Sequence, residues 1–259
     1  MNEKIPGSSR IGILTSGGDA PGMNAAIRAV YRAAHELGID VVGIRRGFSG
    51  LIEGDFFLMD RSHVANIIHL GGTVLGTSRS EEFKTSEGRK KSAENLQNAD
   101  IDALLVIGGE GSFRGADLFN DETGIPTIGI PGSIDNDIPG TDFSIGFDTA
   151  INTALEAIDK IRDTALSHGR LFFVEVMGRS SDLIAIESGI AGGAEYLVLP
   201  GDHDAIMDLC ARLTDAFSAG KRYAIVVVAE GEKPGCSFEI SQKVSEQIDI
   251  ESRVVVLGH

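Results

Sequence analysis

Short apolar segments alternate with amphipathic ones along most of the chain, and this alternation constrains the fold more than any other feature. The first apolar segment, Ile11–Leu14, has the length and branching of a buried strand, and Met23–Leu37 carries apolar residues at helical spacing. Further strands are predicted at 41–44, 101–107, 127–130, 171–176, 196–199, 223–229 and 254–257. Further helices are predicted at 113–119, 148–168, 204–219 and 239–248. This order is typical of parallel sheets covered by helices, so we predict an α/β protein.

Two of the predicted strands end in glycine-rich turns that lead into helices. The first turn contains Gly17 and Gly18, and the second runs from Gly108 to Ser112. Main-chain N–H groups and the helix dipole make such a turn suitable for phosphate. Glycine is also typical of a sharp turn with no ligand, but it lets a ligand approach the backbone, and two such turns favour the phosphate interpretation. Glu110 in the second turn is a candidate Mg²⁺ ligand, directly or through water.

The heptapeptide Pro131-Gly132-Ser133-Ile134-Asp135-Asn136-Asp137 follows the strand predicted at 127–130. Open α/β sheets bind ligands at the carboxyl ends of their strands, and a carboxylate there can accept a proton from a substrate hydroxyl. Asp135 and Asp137 are therefore candidate catalytic groups, with the hydroxyl of Ser133 beside them. Ser, Asn and Asp are equally typical of a simple turn, and the heptapeptide alone leaves both interpretations open.

The chain is strongly acidic, with a formal net charge of −15 at pH 7, which argues against non-specific nucleic-acid binding. A phosphorylated ligand would therefore need locally clustered arginines, and Arg79, next to small residues, is a candidate anion clamp. The run Arg89-Lys90-Lys91 predicts a solvated face. Cys210 and Cys236 lack metal-ligand spacing and are expected to be reduced thiols. With no signal-peptide pattern and no apolar stretch near the roughly 20 residues of a membrane span, we expect a soluble, cytoplasmic protein.

Taken together, these motifs resemble those of the 6-phosphofructokinase family, and they follow the family's order. The stretches that carry the resemblance are Leu14-Thr15-Ser16-Gly17-Gly18-Asp19-Ala20-Pro21-Gly22-Met23-Asn24, Gly108–Ser112, Pro131–Asp137, Gly146-Phe147-Asp148-Thr149-Ala150, Val176-Met177-Gly178-Arg179 and Val256-Leu257-Gly258-His259. The resemblance implies two Rossmann-like three-layer α/β/α domains with mainly parallel sheets and an active site in the cleft between them. It assigns ATP binding to residues 1–142, fructose 6-phosphate binding to 143–252, and the start of a return segment to 253–259.

The resemblance also implies a reaction, the transfer of a phosphoryl group from ATP to fructose 6-phosphate with Mg²⁺. Asp135 matches the family's general base, Ser133 and Asp137 match its supporting positions, and Arg179 would stabilise the transferring group. The residues that match the ATP side are Gly18, Arg79, Ser80, Gly109, Glu110, Gly111 and Ser112. The residues that match the sugar side are Ser133, Ile134, Asp135, Arg170, Met177, Gly178, Arg179, Glu230, Arg253 and His259.

Further expectations concern assembly and regulation. Arg170 and Arg253 match arginines that reach a neighbouring subunit's sugar-phosphate site, which implies a homotetramer or at least a dimer. The bacterial effector site is partly matched, by Arg28, Arg32, Arg162, Glu195 and Lys221. The stretch Glu53–Phe56 lacks the arginine expected there, which weighs against control by a nucleoside diphosphate or phosphoenolpyruvate.

The chain departs from the family pattern at three points. Glu110 replaces an aspartate associated with Mg²⁺, and Ser133 replaces a threonine. The chain stops at His259, where the family continues through a Gln-Arg-Gly-Gly turn, so we expect a fragment or a truncated product. Glycine at 111 and 132, where pyrophosphate-using relatives tend to carry aspartate and lysine, indicates ATP as the donor.

Two other functions stay open at this point. The first is a non-catalytic or regulatory relative, inactive through truncation and Glu110. The second is a kinase of another substrate, such as a lipid or NAD kinase, against which the sugar-side residues argue.

Overall fold

The computed structural model describes residues 9–201, 205–231, 234–248 and 250–258. His259, a predicted contact of the sugar 6-phosphate, lies outside these residues. The chain divides into two compact units. The first takes the described residues up to Ser133 together with Asp137–Gly146, and the second takes Ile134–Asn136 and the described residues from Phe147 onward. The α/β prediction is confirmed, whereas the domain boundaries that the resemblance implied stay a prediction.

The first unit is built on a six-stranded sheet. Its strands are β1 (Arg10–Ser16), β2 (Asp40–Ile44), β3 (Phe56–Leu58), β4 (Ala103–Gly108), β5 (Thr127–Ser133) and β6 (Ile145–Gly146). Its helices are α1 (Met23–Glu36), α2 (Gly47–Glu53), α3 (Ser86–Asn98) and α4 (Glu110–Thr123), with a 3₁₀ turn at Glu82–Lys84. The strands lie in the order β3-β2-β1-β4-β5-β6, and only the β2–β3 pair is antiparallel.

The order of these strands places the sequence motifs at one edge of the sheet. From β1 the chain moves outward to β2, and from β4 it moves outward to β5 on the other side, so the order reverses between β1 and β4. Such a reversal is where open α/β sheets bind ligands. Ser16 pairs with Gly108, and Gly108 pairs with Pro131, so the ends of β1, β4 and β5 lie side by side.

The second unit is built on a four-stranded, wholly parallel sheet. Its strands are β7 (Leu171–Val176), β8 (Tyr196–Val198), β9 (Ala224–Ala229) and β10 (Ser252–Val256). Its helices are α5 (Phe147–His168), α6 (Leu183–Ala191), α7 (Ala205–Ser218) and α8 (Cys236–Ser245). The strands lie in the order β10-β7-β9-β8.

Both faces of this second sheet are buried, since every residue of β7 and β9 is buried, and all of these residues are apolar except Glu175 of β7. Phe173 and Val226 pack in a core with Leu213 of α7. The neighbouring residue Val174 faces the opposite core, which includes Ile158 of α5. Helices therefore cover the sheet on both sides, as in a three-layer α/β/α unit.

A buried carboxylate holds the start of α8. Glu175 of β7 is 1% exposed, and it accepts hydrogen bonds from the main-chain N of Gly235 (2.6 Å) and Ser237 (2.9 Å) and from the Ser237 hydroxyl (2.5 Å). The first N–H groups of a helix have no partner within it, so Glu175 replaces a local capping side chain. Burial, and then the charge of Glu175, raise the pKa of the Cys236 thiol to about 11.

Two sequence predictions need correction. No helix or strand is predicted from the sequence between 44 and 60, but α2 and β3 occupy much of that stretch, and Phe48 and Leu51 are buried. The solvated face predicted for the charged run is wrong for Arg89, which is 5% exposed because its guanidinium joins α3 to Glu122 of α4. Among the helices of the described residues, none is long and apolar enough to cross a membrane.

Candidate active site

The two glycine turns meet at the reversal of strand order in the first unit. A Cβ atom added at Gly108 would lie 2.5 Å from the Ser16 carbonyl oxygen, so the fold itself requires glycine there. A Cβ atom at Gly18 or Gly111 would meet nothing within 4 Å, and neither residue has a positive φ. The fold therefore does not require glycine at 18 or 111. Open space beside the main chain is what a ligand that approaches these turns would need.

The segment that brings Arg79 and Ser80 to this region is fixed to the first glycine turn. The Thr77 hydroxyl donates to the Gly17 carbonyl oxygen at 2.7 Å. Arg79 is exposed, and the Ser80 hydroxyl accepts a hydrogen bond from the Phe83 main-chain N at 3.2 Å. A cationic side chain thus follows directly on a segment that contacts the glycine turn, as an anion clamp requires.

Glu110, the predicted Mg²⁺ ligand, is the first residue of α4. Its Oε1 lies 2.5 Å from Nη2 of Arg114, and its side chain is 38% exposed. Across the parts of the chain that the structure describes, no three His, Cys, Asp or Glu side chains group closely enough to hold a metal. One carboxylate fits an Mg²⁺ ion whose other ligands are phosphate oxygens and water, which is how nucleotide-bound Mg²⁺ is usually held.

The end of β5 carries the heptapeptide. Ser133 is the last residue of the strand, and its carbonyl oxygen accepts a hydrogen bond from the Ser144 hydroxyl at 2.6 Å. Gly132 is buried, and an added Cβ would lie 3.2 Å from side-chain atoms of Ile107 and Met23. Glycine at 132 therefore has a packing reason, in addition to the donor preference inferred from the sequence.

Several predicted catalytic and sugar-side residues form one network in the second unit. The Ser181 hydroxyl donates to the main-chain carbonyl oxygen of Asp135 at 2.7 Å, and the Ser181 N–H donates to the Gly178 carbonyl oxygen at 2.8 Å. The Arg179 N–H donates to Oε1 of Glu230 at 3.2 Å. Glu230 is 7% exposed, whereas the Arg179 side chain reaches solvent. Ser181 is a member that sequence reasoning missed, because its bond to Asp135 spans 46 residues of chain.

The backbone of this network is held in uncommon conformations. Asn136 has φ 50° and Arg179 has φ 51°, values that non-glycine residues adopt rarely. Gly178 has φ 142°, and a Cβ there would lie 2.5 Å from the Ser181 carbonyl oxygen. Such residues concentrate at functional sites, where the surrounding structure offsets their cost.

The predicted sugar-side residues of the second unit lie at two opposite edges of its sheet, one at the carboxyl ends and one at the amino ends of the parallel strands. Val176 pairs with Ala229, and Val256 pairs with Glu175, so 177–179, Glu230 and 257–258 follow strand ends at the same edge. Arg170 and Arg253 lie at the other edge. Both contact Glu251 there, and Nε of Arg170 lies 3.0 Å from its Oε2. Within one chain, the structure therefore does not bring these two arginines to the rest of the set.

Arg28 and Arg32, predicted for an effector site, line a pocket of about 310 Å³ in the first unit. Arg61 supplies a third arginine, and its Nη2 lies 3.3 Å from Nε2 of His35, which also lines the pocket. Arg61 was not among the residues predicted from the sequence, and the effector site stays a prediction. Arg28 in addition donates to the Val64 carbonyl oxygen at 2.9 Å.

The other three predicted effector residues lie in the second unit and make local contacts. Arg162 donates to the carbonyl oxygens of Gly192 and Gly193, beyond the end of α6. Nζ of Lys221 lies 2.8 Å from Oε1 of Glu195. In the described chain, these residues are not part of the arginine-lined pocket.

A family model, curated relatives and a solved structure all match this chain to phosphofructokinases. The phosphofructokinase family model matches residues 10–259. ATP-dependent 6-phosphofructokinase 1 of Thermus thermophilus is 54% identical over 250 residues, which cover 96% of this chain and 78% of the relative. The ATP-dependent 6-phosphofructokinase of Halalkalibacterium halodurans is 56% identical over 251 residues, with 96% and 77% covered. The solved phosphofructokinase of Saccharomyces cerevisiae has a TM-score of 0.88 at 37% identity, covering 97% of this chain and 38% of that one. This chain thus spans part of each relative's length, and it belongs to the phosphofructokinase family.

Proposed function

We propose that this chain catalyses transfer of a phosphoryl group from ATP to fructose 6-phosphate, giving fructose 1,6-bisphosphate and ADP in the cytoplasm. The names of the bacterial relatives support this reaction. The structural observation that carries it is the network that links Asp135, through Ser181, to the turn of Arg179 and Glu230. A non-catalytic relative is not favoured, because the relatives carry the name of an enzyme.

The first unit would bind the nucleotide. Main-chain groups at Gly18 and Gly109–Ser112 would contact the phosphates, and Arg79 would neutralise part of their charge. Ser80, next to Arg79, would also contact the nucleotide. Glu110 would hold Mg²⁺ directly or through water, and the ion would supply charge neutralisation of the phosphates.

The second unit would supply the chemistry at the sugar. The Asp135 carboxylate would accept the proton of the sugar 1-hydroxyl while the oxygen of that hydroxyl attacks the γ-phosphorus of ATP. Ser133 and Asp137 would support that position. The Arg179 guanidinium would stabilise charge on the transferring group, because a planar cation with several donors suits phosphoryl oxygens.

The remaining sugar-side residues would bind rather than react. Met177, Gly178 and Glu230 follow adjacent strand ends, as contacts to one small ligand require. Ile134 would contribute main-chain or apolar contact, and His259 a contact to the 6-phosphate. Because Arg170 and Arg253 lie at the opposite edge of the sheet, we infer that they serve the site of a second copy in a homo-oligomer, a tetramer by resemblance.

A coupled assay with ATP, Mg²⁺ and a panel of acceptors tests the proposal. We expect turnover with fructose 6-phosphate and little with fructose, NAD or diacylglycerol. Binding of ATP and fructose 6-phosphate by calorimetry without turnover would favour the non-catalytic alternative. Preferred turnover of another acceptor would contradict the substrate.

A second role is favoured by the arginine-lined pocket. Three arginines around about 310 Å³ suit a small phosphorylated effector, a nucleoside diphosphate or phosphoenolpyruvate by resemblance. Arg61→Ala should then abolish any effect of ADP or phosphoenolpyruvate on the fructose 6-phosphate saturation curve. Arg45→Ala removes an exposed arginine that pairs with Asp55, and it should leave that effect unchanged. An unchanged effector response in Arg61→Ala would contradict the assignment.

A further inference from the structure

We propose that Asn24 is a positioning residue for nucleotide binding, acting through the segment 70–78 that leads into Arg79. The inference rests on the proposed role of Arg79 and the glycine turn in binding ATP. We name this segment the 70–78 connection.

Asn24 binds the connection with its whole side-chain amide. It is 1% exposed, and its Nδ2 donates to the carbonyl oxygens of Leu70 (3.0 Å) and Gly71 (3.2 Å). Its Oδ1 accepts from the main-chain N of Val74 at 2.8 Å. Both N–H donors and the carbonyl acceptor are thus used on one short stretch of backbone.

The hydrogen bonds from Asn24 hold the main chain of the 70–78 connection in place, as helix or strand hydrogen bonds would elsewhere. No helix or strand covers 70–78, so ladder hydrogen bonds do not set its conformation. Further anchors join it to β1 and to the turn before α2. Thr15 donates to the Gly76 carbonyl oxygen at 2.9 Å, and Ser78 donates to the Arg46 carbonyl oxygen at 2.8 Å.

The connection contacts both parts of the proposed nucleotide site. Thr77 donates to the Gly17 carbonyl oxygen, beside Gly18, and Ser78 directly precedes Arg79. A shift of the connection would therefore move the clamp and disturb the glycine turn together. Misplacement by about 1 Å can cost on the order of 10²-fold in rate.

Asn24 is not needed to start its own helix. The residue that precedes α1 is Gly22, and no side chain caps that helix. The Asn24 amide points instead to a segment about 50 residues along the chain, as its bond to Val74 shows. Replacing Asn24 should therefore change the position of the 70–78 connection more than the stability of α1.

The test uses Asn24→Asp and a matched control. The substitution keeps the shape but removes the donors and sets a carboxylate against two carbonyl oxygens. Asn95 makes the same kind of contact elsewhere in this unit, since its Nδ2 donates to the carbonyl oxygens of Leu51 (3.1 Å) and Ile52 (2.8 Å). We expect Asn24→Asp to raise the KM for ATP by about tenfold or more, with the KM for fructose 6-phosphate little changed. Asn95→Asp should lower Tm without changing the KM for ATP.

Two further measurements keep the inference testable. Thr77→Val removes only the bond to Gly17 at a partly exposed position, so a folded variant is expected even if Asn24→Asp does not fold. It should weaken ATP binding, measured by calorimetry without turnover. Unchanged ATP affinity in Thr77→Val, or an equal rise of the KM for ATP in Asn95→Asp, would overturn the inference. A parent chain that does not bind ATP would instead overturn the proposed function.

Discussion

The residues proposed for catalysis have common side chains, but the main chain at or next to them adopts uncommon φ values. Asn136, next to Asp135, and Arg179 both have positive φ. The bond from Ser181 to the Asp135 carbonyl oxygen holds the two stretches together. A small local change at these residues should therefore affect turnover more than stability.

Asp135→Ser tests the general base. Without the carboxylate, the sugar hydroxyl has no proton acceptor, so turnover should fall by roughly 10²- to 10⁴-fold. Affinity for fructose 6-phosphate should change little, because the main-chain contact to Ser181 stays. Steady-state kinetics and calorimetry measure the two quantities. Near-normal turnover would reject Asp135 as the base.

Gly111→Ala separates a requirement of the ligand from a requirement of the fold. Gly111 is the second residue of α4, and a Cβ added there would contact no other atom within 4 Å. Tm should therefore stay the same or rise, since alanine is favoured over glycine in helices by about 1 kcal/mol. The KM for ATP should rise because the methyl group fills the cradle. In the control, Gly108→Ala, thermal unfolding should shift to lower temperature because of the clash with Ser16. An unchanged KM for ATP in Gly111→Ala would remove Gly111 from the nucleotide site.

At the scale of elements, the ion pair between α3 and α4 shows how a charged run can be structural. Nε and Nη2 of Arg89 each donate to Glu122 at 2.7 Å, and Nη1 donates to the carbonyl oxygens of Phe83 and Lys84. Hydrogen bonds from Arg89 hold the pKa of Glu122 below its ordinary value. The pair therefore stabilises the fold above the unfolded-state pKa of that glutamate, and this contribution is lost as pH falls through the lowered folded-state pKa.

Glu122→Gln should accordingly be less stable than the parent near neutral pH, and the difference should shrink as the solution is acidified. Urea unfolding across a pH series measures this difference in free energy of unfolding. Glu81→Gln, which removes an exposed pair with Lys84, should differ little from the parent at neutral pH. A difference that stays constant into acid would contradict the ion-pair explanation.

The sequence predicted the elements that have continuous patterns and missed those that tertiary packing decides. The prediction of a strand at 171–176 coincides with β7, because five of its six consecutive residues are apolar and only Glu175 interrupts the run. The helix α2 was missed because Gly47 and Gly50 are typical of loops, whereas burial of Phe48 and Leu51 in the core outweighs that propensity. The motif residues could be named from sequence. Their long-range partners, such as Ser181, could not, since no local pattern marks them.

At the scale of the whole molecule, the proposed ligand contacts fall in separate compact units. The nucleotide-side residues lie in the first unit, and the second contains Asp135, 177–179 and Glu230. An acidic chain with a net charge of −15 needs such local groups of N–H donors and arginines to bind phosphates at all.

Hydrogen exchange should therefore separate the two substrates. ATP should slow exchange of amides at 17–18, 76–80 and 108–112, because bound phosphates occupy or shield these N–H groups. Fructose 6-phosphate should slow exchange at 176–179 and 230. Mass spectrometry of peptides with each ligand alone measures the pattern. Protection by ATP confined to the second unit would contradict the assignment.

The surroundings of the two cysteines have a practical consequence for spectroscopy. Burial raises the pKa of the Cys210 thiol, and burial together with the carboxylate that holds α8 raises that of Cys236 to about 11. Both sulfurs should stay protonated in neutral buffer and react slowly with maleimides, since the thiolate is the nucleophile. A single cysteine introduced on an exposed helix could then carry a fluorophore while both native thiols are retained.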